Sequence, residues 1–254
     1  MRKVTTIFWP VLAGIVFLLL WQLQVFHFLL HIQIRQLPLP SAMIETLIDN
    51  WQTLLLYSMY TLAEATLGML IGSAIGFLLA VIATVFPKWG YGGLIFVTAL
   101  NAVPIIALAP IMNLWFGDGL GSRAAVVTIT TMAAMALNAY RGLNDLKPYA
   151  LDLMKSYAAN ESVVFRCLRL PNCLPNVITA LKINTTASMI GAIVSEFFYS
   201  SRGLGYMLSN SVKIAKMSMG WACIILSAIL GILLYSIVRL IEKHAIKWHV
   251  SQRI

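Results

Sequence analysis

The stretch LLLYSMYTLAEATLGMLIGSAIGFLLAVIATVF, residues 54–86, decides what kind of protein this is. It carries one charged side chain, Glu64, and no proline. A helix crossing the roughly 30 Å hydrocarbon core of a bilayer needs about 20 such residues. Residues 54–86 exceed that, so the helix is expected to tilt or to begin outside the bilayer.

Outward from this segment, five more apolar runs read as spans: about 7–30, 91–115, 123–140, 177–199 and 219–241. The whole chain agrees. Its 254 residues are 60% hydrophobic and 11% charged, with mean hydropathy +0.84. A soluble domain carries roughly 25% charged residues, so too little polar surface exists here to cover a water-soluble fold. The expected class is an all-α integral membrane protein of about six transmembrane helices. Three parts are expected: residues 1–50, an N-terminal helix with an extracytoplasmic connection; 51–242, the membrane core; and 243–254, a basic cytoplasmic tail. No internal repeat or low-complexity tract interrupts them.

Met1-Arg2-Lys3 ahead of a long apolar run, with no small-residue cleavage site after it, reads as a retained first helix and uncleaved signal. Leu37-Pro38-Leu39-Pro40-Ser41 ends that run. Ser41 is placed to cap a short amphipathic helix with Ile44, Leu47, Ile48 and Trp51 on one face. Gly117 to Ser122 reads as a loop.

The net charge of +9 has a topological cause rather than a nucleic-acid one, because the Lys and Arg lie between apolar runs. With the N-terminus in the cytoplasm, the 18 basic residues divide 13 inside and 5 outside. Positive charge is retained inside, so both termini and the 141–176 connection are expected to be cytoplasmic. Three cysteines, Cys167, Cys173 and Cys223, form neither a disulfide framework nor a zinc motif. His27 and His31 have a spacing that suits a metal on one helix face, but no acidic or Cys partner is near; they read as interfacial histidines, and no metal site is expected.

Residues 141–176 form the longest polar stretch, with Arg141, Asp145, Lys147, Asp152, Lys155, Glu161, Arg166 and Arg169. Leu151, Met154, Tyr157 and Ala158 recur at helical spacing, as do Val164, Phe165 and Leu168. A short helix with one apolar face either lies on the lipid interface or is covered by a partner, and the residues alone leave both open.

Polar residues within the spans are candidates for a translocation path: Glu64, Asn101, Asn113, Asn184, Thr185, Ser188 and Glu196. A carboxylate at the bilayer centre costs at least about 2.5 kcal/mol, so it faces protein or water. Glu196 falls near a helix end and also reads as an interfacial acid. Pro104 and Pro110 free backbone carbonyls that need new partners or a cavity, which makes the third span a further path candidate. Gly68, Gly72 and Gly76 lie on one face of the second span and suit close helix packing.

Several motifs resemble a known family. Asp152-Leu153-Met154-Lys155-Ser156-Tyr157-Ala158-Ala159-Asn160, then Phe165 and Leu170-Pro171-Asn172-Cys173-Leu174-Pro175, resemble the signature loop of ABC-importer permeases. Pro104 to Gly117, Ser195-Glu196 and Arg202-Gly203-Leu204-Gly205-Tyr206 resemble the nitrate/sulfonate/taurine branch. The likeness covers roughly residues 50–240. Departures are Asp152 for the usual Glu, Leu153-Met154 for two alanines, and Ala158 where glycine is usual; alanine resists a positive φ there.

The resemblance implies a type I (MetI-like) permease fold and a non-catalytic translocation subunit in the inner membrane. It implies a permease homodimer, a cytoplasmic ABC ATPase dimer that binds ATP-Mg, and an extracytoplasmic substrate-binding protein. It assigns ATPase coupling to Asp152, Lys155, Ser156, Tyr157, Ala158, Ala159, Asn160 and Phe165. Substrates implied are sulfonate, taurine, nitrate, bicarbonate or a pyrimidine-type vitamin precursor. The chain itself has no Gly-x-x-x-x-Gly-Lys-[Ser/Thr] loop, so no bound cofactor is expected on it. The rival reading, a gradient-driven secondary transporter, calls for repeats and converging carboxylates, which the sequence lacks.

Overall fold

The computed structural model of the chain describes residues 2–246, with side chains from Phe8 onward. The basic tail beyond residue 246 and the N-terminal Met1 lie outside it. The described residues form helices α1 (Arg2–Gln22), α2 (Val25–Leu30), α3 (Pro40–Asp49), α4 (Trp51–Val85), α5 (Pro87–Asn101), α6 (Ile105–Phe116), α7 (Leu120–Asn144), α8 (Ala150–Ser156) and α9 (Glu161–Val164). A π-helical turn (Phe165–Arg169) then leads into α10 (Leu170–Tyr199), α11 (Leu204–Lys213) and α12 (Met217–Ala245).

Four helical runs are long and apolar enough to cross a membrane: α4, α7, the continuous run Glu161–Tyr199, and α12. A fifth candidate is broken. The expected span 91–115 is the pair α5 and α6, bent by 103°. Proline causes the break: Pro104 lacks an N–H and drives Val103 out of helical geometry, and Pro104 itself is extended at ψ 128°. The expected first span 7–30 is also interrupted, by Gln24 in the left-handed region at φ 61°. Among the described residues, four long helices are candidate spans and the bent pair α5–α6 is a fifth if taken together, while the 21-residue α1 ends at Gln22. His31 ends α2 with φ 53°, so His27 and His31 do not share a helix face. His27 is buried instead, its Nε2 2.6 Å from the Leu37 carbonyl.

The core is the packing of α4, α7 and α10. At 35 residues and about 1.5 Å per residue, α4 is some 52 Å long and overreaches the bilayer core. Its glycine stripe sets its distance from α7. A Cβ at Gly68 would lie 2.6 Å from the Ala124 carbonyl, and one at Gly72 2.5 Å from the Thr128 carbonyl. One at Gly76 would meet Ala136 N at 3.0 Å. Only glycine permits this approach, which lets Thr128 Oγ1 reach the Gly68 carbonyl at 3.3 Å. Lys182 Nζ and Glu242 Oε2, 2.6 Å apart, tie α10 to α12. Outward faces stay apolar, with Leu114, Trp115, Ile232 and Leu240 exposed.

The expected 141–176 loop is mostly helix. α7 runs on to Asn144, and α10 begins at Leu170, not at 177. Leu-Pro-x-x-Leu-Pro therefore lies within a helix rather than preceding one. Pro171 closely follows the π-helical turn, whose wider i to i+5 bonding carries the continuous run Glu161–Tyr199 past the N–H that proline lacks.

Candidate functional site

The two ends of α7 carry two different polar assemblies. At its C-terminal end the chain makes a helical elbow, α8–turn–α9. None of the α8 residues is buried, and Tyr149, Leu153 and Tyr157 are 83%, 58% and 76% exposed. The shape is nonetheless specified by backbone bonds. Ala158 N donates to the Lys155 carbonyl at 2.8 Å and Ala159 N to the Met154 carbonyl at 3.1 Å. These two bonds are the Schellman closure of α8, with Ala158 left-handed at φ 51°. The family's usual glycine thus falls where the backbone needs one, and alanine occupies it here at a cost.

Asn160 then caps α9, its Oδ1 accepting from Val163 N at 2.9 Å. Asp152 and Lys155 are a loose exposed pair, 3.9 Å apart. Ser156 Oγ turns back to the Leu153 carbonyl. The elbow is anchored only at its far side. Val164 is buried, and Phe165 packs against the core cluster that contains Met135, Leu143 and Cys173. Arg169 Nη1 donates to the Leu143 carbonyl and to Asn144 Oδ1, both at 3.0 Å. Asn172 Nδ2 donates to the Gly142 and Asp145 carbonyls at 2.8 and 2.9 Å. These bonds satisfy carbonyls that the end of α7 would leave orphaned.

At the N-terminal end of α7 lies an ionic cluster in which Arg123 and Glu64 are buried and Asp118 is exposed. Arg123 pairs with Asp118 and stands 3.8 Å from Glu64 Oε1, while its Nη2 donates to the Tyr199 carbonyl at 3.3 Å. Ser201 Oγ donates to Asp118 Oδ2 at 3.1 Å. Beside it, Glu196 Oε2 accepts from Thr61 Oγ1 at 3.0 Å and from Gly205 N at 2.7 Å. Thr61 Oγ1 accepts from Leu204 N at 2.9 Å. A carboxylate against the first N–H groups of α11 is favourably placed for the helix dipole.

Gly203, at φ 95°, lies against the Glu196 carboxyl, where a Cβ would be 2.6 Å from Oε2. A Cβ at Gly205 would be 2.8 Å from the Glu196 Cβ. Ser195-Glu196 and Arg202-Gly203-Leu204-Gly205 are therefore one interlocked unit joining α4, α10 and α11.

Glu196 is fully buried in this unit, close to the end of α10. Glu64 is buried beside it, so these two acids do come together. Asn184, Thr185 and Ser188 lie elsewhere, fully buried within the core, with Asn184 Nδ2 donating to Ser73 Oγ at 3.0 Å. Thr185 and Ser188 bond their own helix at the Lys182 and Thr185 carbonyls. Asn113 is half-buried on α6; Asn101 and Pro104 are exposed at the α5–α6 break. The candidate path residues thus share no single surface in this conformation. Sequence reading missed Arg123, Asp118, Thr61 and Tyr60 as partners. The available signal was that Glu64, isolated in a long apolar span, needs a buried cation.

Comparison with known proteins points the same way. Residues 72–247 match the family described as binding-protein-dependent transport system inner membrane component. A formylaminopyrimidine transport permease of Halalkalibacterium halodurans is 29% identical over 224 residues, 85% of this chain and 87% of that one. A probable ABC transporter permease of Haemophilus influenzae is 27% identical over 198 residues, 78% and 81% of the two chains. Among solved structures, an amino acid ABC transporter superposes with TM-score 0.63 at 14% identity, covering 78% of this chain and 97% of that one. The MetNI methionine ABC transporter does so with TM-score 0.56 at 19% identity, covering 77% and 93%. The described helices, the signature motifs and the family match over most of the chain agree: it belongs to the binding-protein-dependent inner membrane components, the multi-pass, non-catalytic permease subunits of ABC importers.

Proposed function

We propose that the elbow Ala150–Phe165 is the surface through which this permease engages its ATPase. The carrying observation is the combination of fixed shape and uncovered apolar surface: α8 is closed by its own backbone bonds yet buries no side chain. Asp152, Lys155, Ser156, Tyr157, Ala158, Ala159, Asn160 and Phe165 form or brace that surface. An ABC permease of a binding-protein-dependent system works with an ATPase and a binding protein. The finer assembly proposed is a permease homodimer with two cytoplasmic ATPases, which hold the ATP and Mg, and one extracytoplasmic binding protein. Both termini face the cytoplasm, in accord with the 13 to 5 division of basic residues. Residues 51–242 act as the permease core, 1–50 as an accessory N-terminal part and 243–254 as a basic tail.

The solute proposed is small, organic and of pyrimidine type. The formylaminopyrimidine permease, matched over 87% of its own length, supports this choice over sulfonate or taurine.

The test is purification from detergent of wild type, Asp152→Lys and Ala158→Trp, followed by ATP-driven uptake in proteoliposomes. A P-loop ATPase co-purifies with wild type, and both variants insert normally but lose uptake. Full uptake by both variants refutes the assigned surface.

A further inference from the structure

A cavity of about 270 Å³ opens at the N-terminal end of α7, lined by Tyr60, Glu64, Asp118, Arg123, Ser201 and Arg202. Its volume falls just below the roughly 300 Å³ at which pockets for drug-sized ligands begin, which suits a single-ring solute. The lining charges cancel: Glu64 and Asp118 are balanced by Arg123 and Arg202. A lone anion or cation placed there meets both signs and gains from neither. The Glu196 carboxyl stands against that of Glu64 and keeps Oε1 without a donor. Glu64 and Arg123 are 2% and 4% exposed, and each keeps one polar atom without a hydrogen-bond partner, Glu64 Oε2 and Arg123 Nε. Buried polar atoms are rarely left so, because each costs the desolvation that a hydrogen bond would offset. One is an acceptor and the other a donor, on side chains 3.8 Å apart.

Glu64 lines the cavity with its carboxyl between Arg123 and Glu196. Arg202 donates to the Tyr60 hydroxyl at 3.1 Å and lies 5.4 Å from that ring, so an aromatic face and a guanidinium together border the cavity.

We propose that this cavity is a recognition site for a small neutral solute that presents a hydrogen-bond donor beside an acceptor, as the amino edge of a pyrimidine does. Glu64 accepts from the exocyclic amine and the Arg123 Nε–H donates to the adjacent ring nitrogen. The site rests on the pyrimidine-type reading above and adds to it a place and a rule of selection. A solute lacking the amine leaves Glu64 unpaired in a buried setting, the arrangement that discriminates most strongly between close analogues.

The test is equilibrium binding to the full chain with its ATPase in nanodiscs, using cytosine, 2-hydroxypyrimidine and taurine as probes. Cytosine is expected to bind at least about tenfold tighter than 2-hydroxypyrimidine, which lacks the amine, and tighter than the zwitterion taurine. Glu64→Gln is expected to narrow the first ratio to about threefold or less. The wild-type comparison stands by itself should Glu64→Gln fail to fold. Equal binding of the two pyrimidines, tighter binding of taurine, or no binding of either pyrimidine overturns the proposal. ATP-driven uptake of an aminopyrimidine by the same preparation separates the two claims. Uptake without selective binding removes only this site, and absent uptake removes the transport reading beneath it.

Discussion

The two ends of α7 are held in opposite ways. At the Asp118 end, side chains from α4, α10 and α11 close on one another: Glu196 binds Thr61 and Gly205, and Arg123 binds Asp118 and the Tyr199 carbonyl. At the Asn144 end the elbow is shaped by backbone closure and one Asn cap, and its apolar side chains face outward. The first arrangement stabilises the chain within itself. The second stabilises only its own outline, and its apolar surface gains nothing until something covers it. The contrast teaches that rigidity and burial are separable, and a surface both shaped and uncovered is what the proposed ATPase contact requires.

Substitutions break or sharpen this contrast. The largest effect is expected in the interlocked core. Gly72→Val puts two methyl groups where even a Cβ is 2.5 Å from the Thr128 carbonyl, and should cost about 3 kcal/mol or more. Loss of the monodisperse peak in detergent size-exclusion chromatography reports it. Next, Thr61→Val removes a hydroxyl bonded to both Glu196 and Leu204 N, and should cost about 1–3 kcal/mol in thermal unfolding. Ala158→Gly should act in the other sense: relief of the left-handed alanine should stabilise the elbow by about 1 kcal/mol, read as slower amide exchange across residues 150–164. The smallest stability effect belongs to Leu153→Ser. This side chain is 58% exposed, so unfolding should shift by less than about 0.5 kcal/mol while ATPase association falls. Equal losses of stability at both ends would erase the distinction.

Much of this was legible in the sequence, for identifiable reasons. Long apolar runs gave α4, α7 and α12, because hydropathy over a bilayer's width leaves few alternatives. The four-residue glycine spacing on α4 announced a close helix contact, and α7 supplies it. The left-handed turn at position 158 was readable from the glycine usual there, although this chain holds alanine. What escaped depends on pairing across distance. Arg123 lies far along the chain from Glu64, and its count as one more outer basic residue hid its role as a buried partner. Nor could the burial of Glu196 be read from its place near the end of α10; the return of Gly203 and Gly205 over it produces that burial. Prolines misled in both directions. Pro104 breaks what looked like one span, whereas Pro171 lies inside a helical run that already starts at Glu161. Proline breaks the helix at one site and is absorbed by a π-helical turn at the other.

The central claim is that the elbow holds the ATPase, and a photo-crosslink from its tip tests that most directly. Tyr157→p-benzoylphenylalanine, irradiated in whole membranes with ATPase and binding protein present, should yield one adduct, with the ATPase. An adduct with lipid alone, or with the extracytoplasmic binding protein, would contradict it.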